Sequence, residues 1–477
     1  MELANNVTTT LVKYASGLKY EDIPQDVIHM TKRVFMDIVG CGLGSHELDK
    51  GRIGAQLVHQ LGGTEDATIL GSGERTSVTG ATFANAELMH SMDYNAITPP
   101  IYIAPFVCPA ALAVAEKTNA SGKDLLLSMV TGFDIASRIG LALGSFRDKS
   151  KPVRSYGTGF DTFGVAIAAG KLLGLNEYQM ADAMGLAGYF APVPCHTKYM
   201  NTPNNGVMKF GAAGWTAQAG VTAALLAQLG EAGDRSVLDG DYGFWAMNGS
   251  QSCDFEGMVA NLGSDWKILQ SKFKSLPCDG IYQSPLRPLM GLVRENNLKP
   301  DDIEYILVKA EANMFCPQFM STIIENNVDA SMSFPFCVAV AAHLVPVGPT
   351  WQKRETIENP SIQNFMKNKV RFEVYDYAEE TRRQEIEVEH KPYINRRPSY
   401  VEIHTNDGRV LSRKAEYAKW LSAETPEFNA TDEDLVTKFH GNTDGVLSHE
   451  QSEKAVAALM DLENIDSVRD LMKLLTW

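Results

Sequence analysis

From residue 6 to about residue 270 the chain places apolar residues at helical spacing in segment after segment, and this limits the fold more than any other feature. Val27 to Gly44, Gly51 to Leu61, Pro109 to Lys117, Lys123 to Leu143, Thr162 to Leu173 and Gly211 to Leu229 each read as a helix rich in Ala, Gly, Leu or Met. Several end in Gly, which helix carboxyl ends favour. Small residues in Val165-Ala-Ile-Ala-Ala-Gly-Lys-Leu-Leu-Gly let helices approach closely. The expectation is a compact all-α body.

The texture changes near Lys274-Ser-Leu-Pro-Cys-Asp-Gly. Ile303 to Ala310, Val370 to Tyr375 and Gln384 to Glu389 alternate as strands do. Tyr400 to Thr405 and Val410 to Ala415, joined across Asn406-Asp-Gly-Arg, read as a hairpin. Helical pattern lies between these runs at Pro285 to Asn296 and Val338 to Leu344, and the tail from Thr431 to Leu475 is helical again. The expected fold is mainly α. An all-α domain comes from residues 1–273 and 418–477, and an α+β lid domain, 274–417, is inserted between them. A length of 477 residues gives core enough for that plan.

A net charge of −15 argues against a nucleic-acid partner, because neutralising phosphates needs clustered Lys and Arg. It leaves room for a small acid, which needs only a few local cations. Seven scattered cysteines without a CxxC pair read as buried thiols of a reducing compartment. The start of the chain has neither a basic nor an apolar leader region, and Asp134 and Arg138 interrupt the longest apolar stretch. A cytoplasmic protein with no membrane partner is expected. His and Cys spacings form no metal motif, and no HExxH, GxSxG or GxGxxG occurs in a suitable context.

The segment Gly80 to Tyr94 stands out for chemistry. Its apolar face is helical, and His90 and Asp93 fall at i and i+3 on that helix. Pro99 and Pro100 end any helix soon afterwards, leaving a carboxylate where a helix opens into a loop. His90 reads as a core histidine.

Several strings resemble the MmgE/PrpD family in the family's own order. They are Gly62-Gly-Thr-Glu-Asp-Ala-Thr-Ile-Leu-Gly, Phe83-Ala-Asn-Ala with His90-Ser-Met-Asp-Tyr, Pro109-Ala-Ala-Leu-Ala-Val-Ala-Glu, Phe163-Gly through Lys171-Leu-Leu-Gly-Leu, Lys209 five residues before Gly214, Thr437-Lys-Phe and Leu471-Met-Lys-Leu-Leu. The resemblance implies a helical domain built from both chain ends, an α+β lid, and a homodimer without metal or organic cofactor. It also implies an interdomain site for small di- and tricarboxylates, where a proton moves next to a carboxylate.

Asp93 matches the family's first site carboxylate and Lys209 its site lysine. The family's histidines are replaced, by the Tyr102 region, by Ser155 beside Tyr156, and by Gln283 beside Tyr282; Phe336 stands at the lid tyrosine. Histidine is the usual proton carrier near neutrality, so these losses imply altered chemistry or an inactive site. The expected catalytic residues are Lys209, Asp93 and Tyr156. Lys209 enters a helix through a Gly-rich segment and can pin a carboxylate. Tyr156 needs a nearby cation to reach a useful pKa, since its reference value is about 10. Expected substrate contacts are Arg154, Ser155, Tyr102, Tyr282, Gln283, Lys274 and His196. The reaction expected is that of a cofactor-free lyase, a dehydratase or decarboxylase. The alternatives are an epimerase or double-bond isomerase, and an inactive member acting as a binding protein.

Overall fold

The computed structural model describes residues 6–144, 159–192, 196–203, 213–391, 394–422 and 425–477. The protein is mainly α, with 59% helix and 8% strand. Its first part runs α1 (Val7–Gly17), α2 (Gln25–Gly44), α3 (Asp49–Leu61), a small ribbon of β1 (Ala67–Thr68) and β2 (Arg75–Thr76), and α4 (Val78–His90). There follow α5 (Ala104–Thr118), α6 (Gly122–Ala142), α7 (Asp161–Leu172), α8 (Glu177–Phe190), the short α9 (His196–Asn201), α10 (Ala213–Leu229), and the short α11 (Phe244–Met247) and α12 (Phe255–Val259).

Local chemistry sets many of these limits. Ser77 caps α4 by accepting from the Gly80 N–H, and Ser121 with Asp124 forms a capping box on α6. α5 starts earlier than the sequence suggests, because Pro105 supplies the proline favoured in a first helical turn and Pro109 is carried inside. α6 and α7 touch backbone to backbone: a Cβ on Gly164 would lie 2.4 Å from the Gly132 carbonyl oxygen, so only glycine fits. α6 is long and apolar enough to cross a membrane, but 89% of its most apolar window is buried inside the protein. It is the central core helix.

The second part holds α13 (Gln283–Glu295), β3 (Ile303–Ala310), α14 (Asn327–Met332), α15 (Phe334–Ala342), α16 (Arg354–Ile357), α17 (Pro360–Asn368), β4 (Val370–Val374), α18 (Asp376–Arg383), β5 (Ser399–Thr405) and β6 (Val410–Ala415). The sheet order is β4-β3-β5-β6. β3 runs parallel to β4 and antiparallel to β5, and β5–β6 is the hairpin expected from its turn. On β5 the buried residues Ser399, Val401, Ile403 and Thr405 alternate with more exposed ones, and α13 packs on this hairpin.

One expected strand is absent. Gln384–Val388 continues α18 as a π-helical turn. Its alternation does not sort into a buried and an open face, since Glu385 and Ile386 are both buried and Val388 is exposed. The turn aims the Glu385 carboxylate at the N–H groups of Asn395 and Arg396, which a strand would not do. A helix already nucleated also extends at little cost.

The chain then returns to the helical body. α19 (Asp432–Thr443) and α20 (His449–Met460) pack on α2, and α21 (Val468–Leu474) packs on α5. The six described cysteines are free thiols.

Candidate active site

α4 stops at His90, three residues before Asp93. Asp93 has φ +51°, in the left-handed region, so the chain turns sharply there. The helical i, i+3 relation of His90 and Asp93 therefore does not hold. His90 is buried, its ring 5.3 Å from that of Tyr102 and 5.8 Å from that of Phe106.

The turn brings Asp93 against Lys274, a residue 181 positions later. Both side chains are fully buried. Lys274 Nζ donates to Asp93 Oδ1 at 2.6 Å and to the Asp93 carbonyl oxygen at 2.8 Å. Tyr102 closes the cluster: its hydroxyl donates to Asp93 Oδ1 at 3.1 Å and lies 3.2 Å from Lys274 Nζ. The ammonium is also 5.2 Å from the centre of the Tyr102 ring. A phenol held against an ammonium and a carboxylate has one neighbour that favours its anion and one that opposes it.

Tyr102 opens onto a cavity of about 430 Å³ between the helical body and the α+β part. Ile97 and Pro99–Tyr102 wall one side, and Asp279–Ile281, Phe315, Phe319 and Arg397 the other. Met200 and Asn201 of α9 also face it. The size suits a small ligand, since such pockets run from roughly 300 to 1,000 Å³. Two cations line the cavity among the described residues, Lys272 and Arg397, and Arg397 pairs with Glu311.

The loop carrying Lys274 is held from several directions. Gln283 Oε1 accepts from the Ser275 N–H at 3.0 Å and the Leu276 N–H at 2.9 Å, while its Nε2 donates to the Leu276 carbonyl at 2.9 Å. Arg287 donates to Ser275, and Gln352 Nε2 joins the Met92 carbonyl at 2.7 Å to the Pro277 carbonyl at 2.8 Å. Burial lowers the Arg287 pKa.

The structure places some of the expected site residues. Asp93, Lys274 and Tyr102 come together, with Tyr102 on the cavity wall. Tyr282 and Gln283 do not line the cavity: both are fully buried, Gln283 clamps its own loop, and Tyr282 stacks on Phe334 at 4.4 Å and donates to the Met332 carbonyl. Phe336 is buried within α15. His196 belongs to α9, but its side chain lies outside the described residues, as do Lys209, Tyr156, Arg154 and Ser155. The helix that follows Lys209 is fixed by a buried ion pair. Glu87 accepts from the Gly214 N–H at 2.7 Å and pairs with Lys50 at 2.6 Å.

Two residues were missed in the sequence, Asp37 and Lys438. They form a second buried ion pair behind the first, at 2.7 Å. The available signal was a lone charge inside an apolar helix, Val34-Phe-Met-Asp-Ile-Val. Burial raises the Asp37 pKa, and Lys438 opposes the rise. Among the described residues no cluster of three His, Cys, Asp or Glu side chains is arranged to hold a metal ion.

Family models decide the identity. Residues 9–255 match the MmgE/PrpD N-terminal domain and residues 276–463 the MmgE/PrpD C-terminal domain. The chain belongs to the MmgE/PrpD family. This MmgE/PrpD protein is similar to cis-aconitate decarboxylase of Aspergillus terreus, at 24% identity over 99% of this chain and 96% of that protein. It is similar to the human cis-aconitate decarboxylase at 23% identity, over 99% and 95% of the two chains. The cis-aconitate decarboxylase-like protein oryM of Aspergillus oryzae shares 28% identity over 61% of this chain and 62% of its own length. The Asp93–Lys274 contact ties the first matched domain of this MmgE/PrpD protein to the segment between the matches, since Lys274 lies two residues ahead of the second.

Proposed function

We propose that this MmgE/PrpD protein is a cofactor-free lyase that removes CO2 or water from a small polycarboxylic acid, by proton transfer at a carbon next to a carboxylate. Family membership and the decarboxylases among its relatives support a lyase-type enzyme. The observation that carries the reading is Tyr102, whose hydroxyl is shared by a buried ion pair and which lines a cavity of the right size.

In decarboxylation the bond to the leaving carboxylate breaks, and its electron pair stays on the neighbouring carbon. CO2 departs, and Tyr102 gives its proton to that carbon, becoming a phenolate beside Lys274. In dehydration a base removes the proton next to the carboxylate and the hydroxyl leaves, protonated, as water. Tyr102 serves as acid or base, Lys274 stabilises its anion, and Asp93 orients both. Groups fixed in a water-poor wall act strongly because they need no rearrangement. Lys209 binds and stabilises the substrate carboxylate. Arg154, Ser155, Tyr156 and His196 add substrate contacts, with Tyr156 as a further proton carrier. The working form is a cytoplasmic homodimer.

The test is a panel of unsaturated, hydroxy and amino di- and tricarboxylates incubated with enzyme in D2O and followed by NMR. Loss of CO2 with deuterium on the product carbon, or loss of water without it, is expected. Deuterium exchange on an intact skeleton would replace the lyase by an epimerase or double-bond isomerase, and silence across the panel would leave a binding protein. The same panel with Lys209→Ala tests the carboxylate-binding role, and full activity would remove it.

A further inference from the structure

Asp37 lies in the middle of α2 and Lys438 on α19, and both side chains are buried. Lys438 Nζ is 2.7 Å from Asp37 Oδ1 and donates to two main-chain carbonyls, of Tyr94 at 2.6 Å and of Lys274 at 3.1 Å. The ammonium also sits 3.7 Å from the centre of the Tyr94 ring. Asp37 Oδ2 accepts from the Ala96 N–H at 2.8 Å. An ammonium has three hydrogens, and three oxygens surround this one, so nothing is left over for a ligand.

The identity of the gripped carbonyls matters. One belongs to the residue after Asp93 and the other to Lys274. These two segments meet at an isolated bridge, where Ile97 and Lys272 exchange N–H···O bonds of 2.8 and 2.9 Å. Toward Asp93 and Lys274 that exchange stops, and the Tyr94 and Lys274 carbonyls both point at the same spot. Two buried acceptors facing each other need a donor between them. Lys438 provides it, and Asp37 balances its charge. A buried ion pair is a poor device for stability, since apolar residues of similar volume often do as well.

We propose that Asp37 and Lys438 are positioning residues: they set the distance between Asp93 and Lys274, and so the geometry in which Tyr102 gains and loses its proton. This rests on the assignment of Asp93, Lys274 and Tyr102 as the reacting wall. Outside the pair itself its hydrogen bonds go to backbone, and neither residue lines the cavity, so its effect falls on turnover more than on substrate capture.

The test is Lys438→Met in the full chain, judged by steady-state kinetics and a crystal structure, with Asp134→Asn as a comparison. Asp134 forms a buried ion pair in α6 whose partner Arg138 reaches only backbone of residues 260–265. Lys438→Met is expected to lower kcat about tenfold to hundredfold with KM changed less than about threefold, as a misplacement of about 1 Å does. Its crystal structure is expected to show the Lys274–Asp93 contact lengthened beyond hydrogen-bonding distance. Asp134→Asn is expected to lower the melting temperature and leave kcat unchanged. If Lys438→Met does not fold, Asp37→Asn, which keeps an acceptor for Ala96, replaces it under the same criteria. A folded variant with wild-type kcat, or with the Lys274–Asp93 contact unmoved, overturns the proposal. If the wild-type protein turns over no acid at all, the lyase assignment fails by itself, and the crystallographic contact still decides the positioning role.

Discussion

The interior of α6 and the junction between the helical body and the α+β part both bury an ion pair, and they use it in opposite ways. In α6, Asp134 and Arg138 are one helical turn apart and meet at 2.8 Å. The rest of the guanidinium is spent on the carbonyls of Ala260 at 2.6 Å and Asp265 at 2.9 Å. Neither residue lines the cavity described above, and the pair's chemistry ends in the fold. Burial still raises the Asp134 pKa, although Arg138 opposes it. At the junction, Asp93 and Lys274 share the hydroxyl of Tyr102, a residue that lines the cavity. A buried charge is costly wherever it lies, so what separates a staple from a reactive group is what its remaining valences touch.

Replacing Lys274 by Met should have the largest effect. It is expected to lower kcat/KM roughly a thousandfold, because it removes the cation that stabilises the Tyr102 anion. Near wild-type turnover would break the comparison by making the junction pair a staple too. Arg138→Met comes next. It is expected to cost about 3–5 kcal/mol of stability, read by denaturant unfolding, while the folded fraction keeps full activity. A loss of specific activity there would show that α6 also reaches the chemistry.

The smallest effect concerns a half-buried group held without an ionic partner of its own. His343, at the end of α15, makes ring-nitrogen contacts of 2.7 Å to the Ala339 carbonyl and 2.8 Å to the Ser361 hydroxyl. The Nδ1–H donates to the carbonyl and Nε2 accepts from the hydroxyl, so the neutral ring fits, and burial lowers its pKa. The unfolded chain then binds the extra proton first as pH falls. Stability should be full above the unfolded histidine pKa, about 6.5, and drop as pH falls toward the folded value. His343→Asn should flatten that slope in thermal unfolding between pH 5 and 8; an unchanged slope would assign it to other groups.

Much of the fold could be read from local pattern. The α2, α3, α6 and α7 limits fall within about two residues of those expected from apolar period and capping, which act over one or two turns. The strands β3 and β4 and the β5–β6 hairpin followed from alternation and a turn signal. Gln384–Val388 did not, because alternation cannot tell a strand from a helix whose facing partners lie ten residues ahead at Asn395 and Arg396. In the site, Asp93, Tyr102 and Lys274 were each named from the chain, yet nothing in it joined them. Gln283 and Tyr282 looked equally eligible, and the structure spends them on packing.

The amino-acid order by itself determined the helices, the carboxylate at the exit of α4, and the family. Each of these depends on neighbours a few residues away or on strings kept in sequence. Tertiary structure alone decided that Asp93 meets Lys274 across 181 residues, and that Lys438 returns from the far end of the chain to hold the carbonyls of Tyr94 and Lys274. Contacts at that range follow from how whole helices pack, and a side chain's own sequence carries no record of which distant backbone it will face.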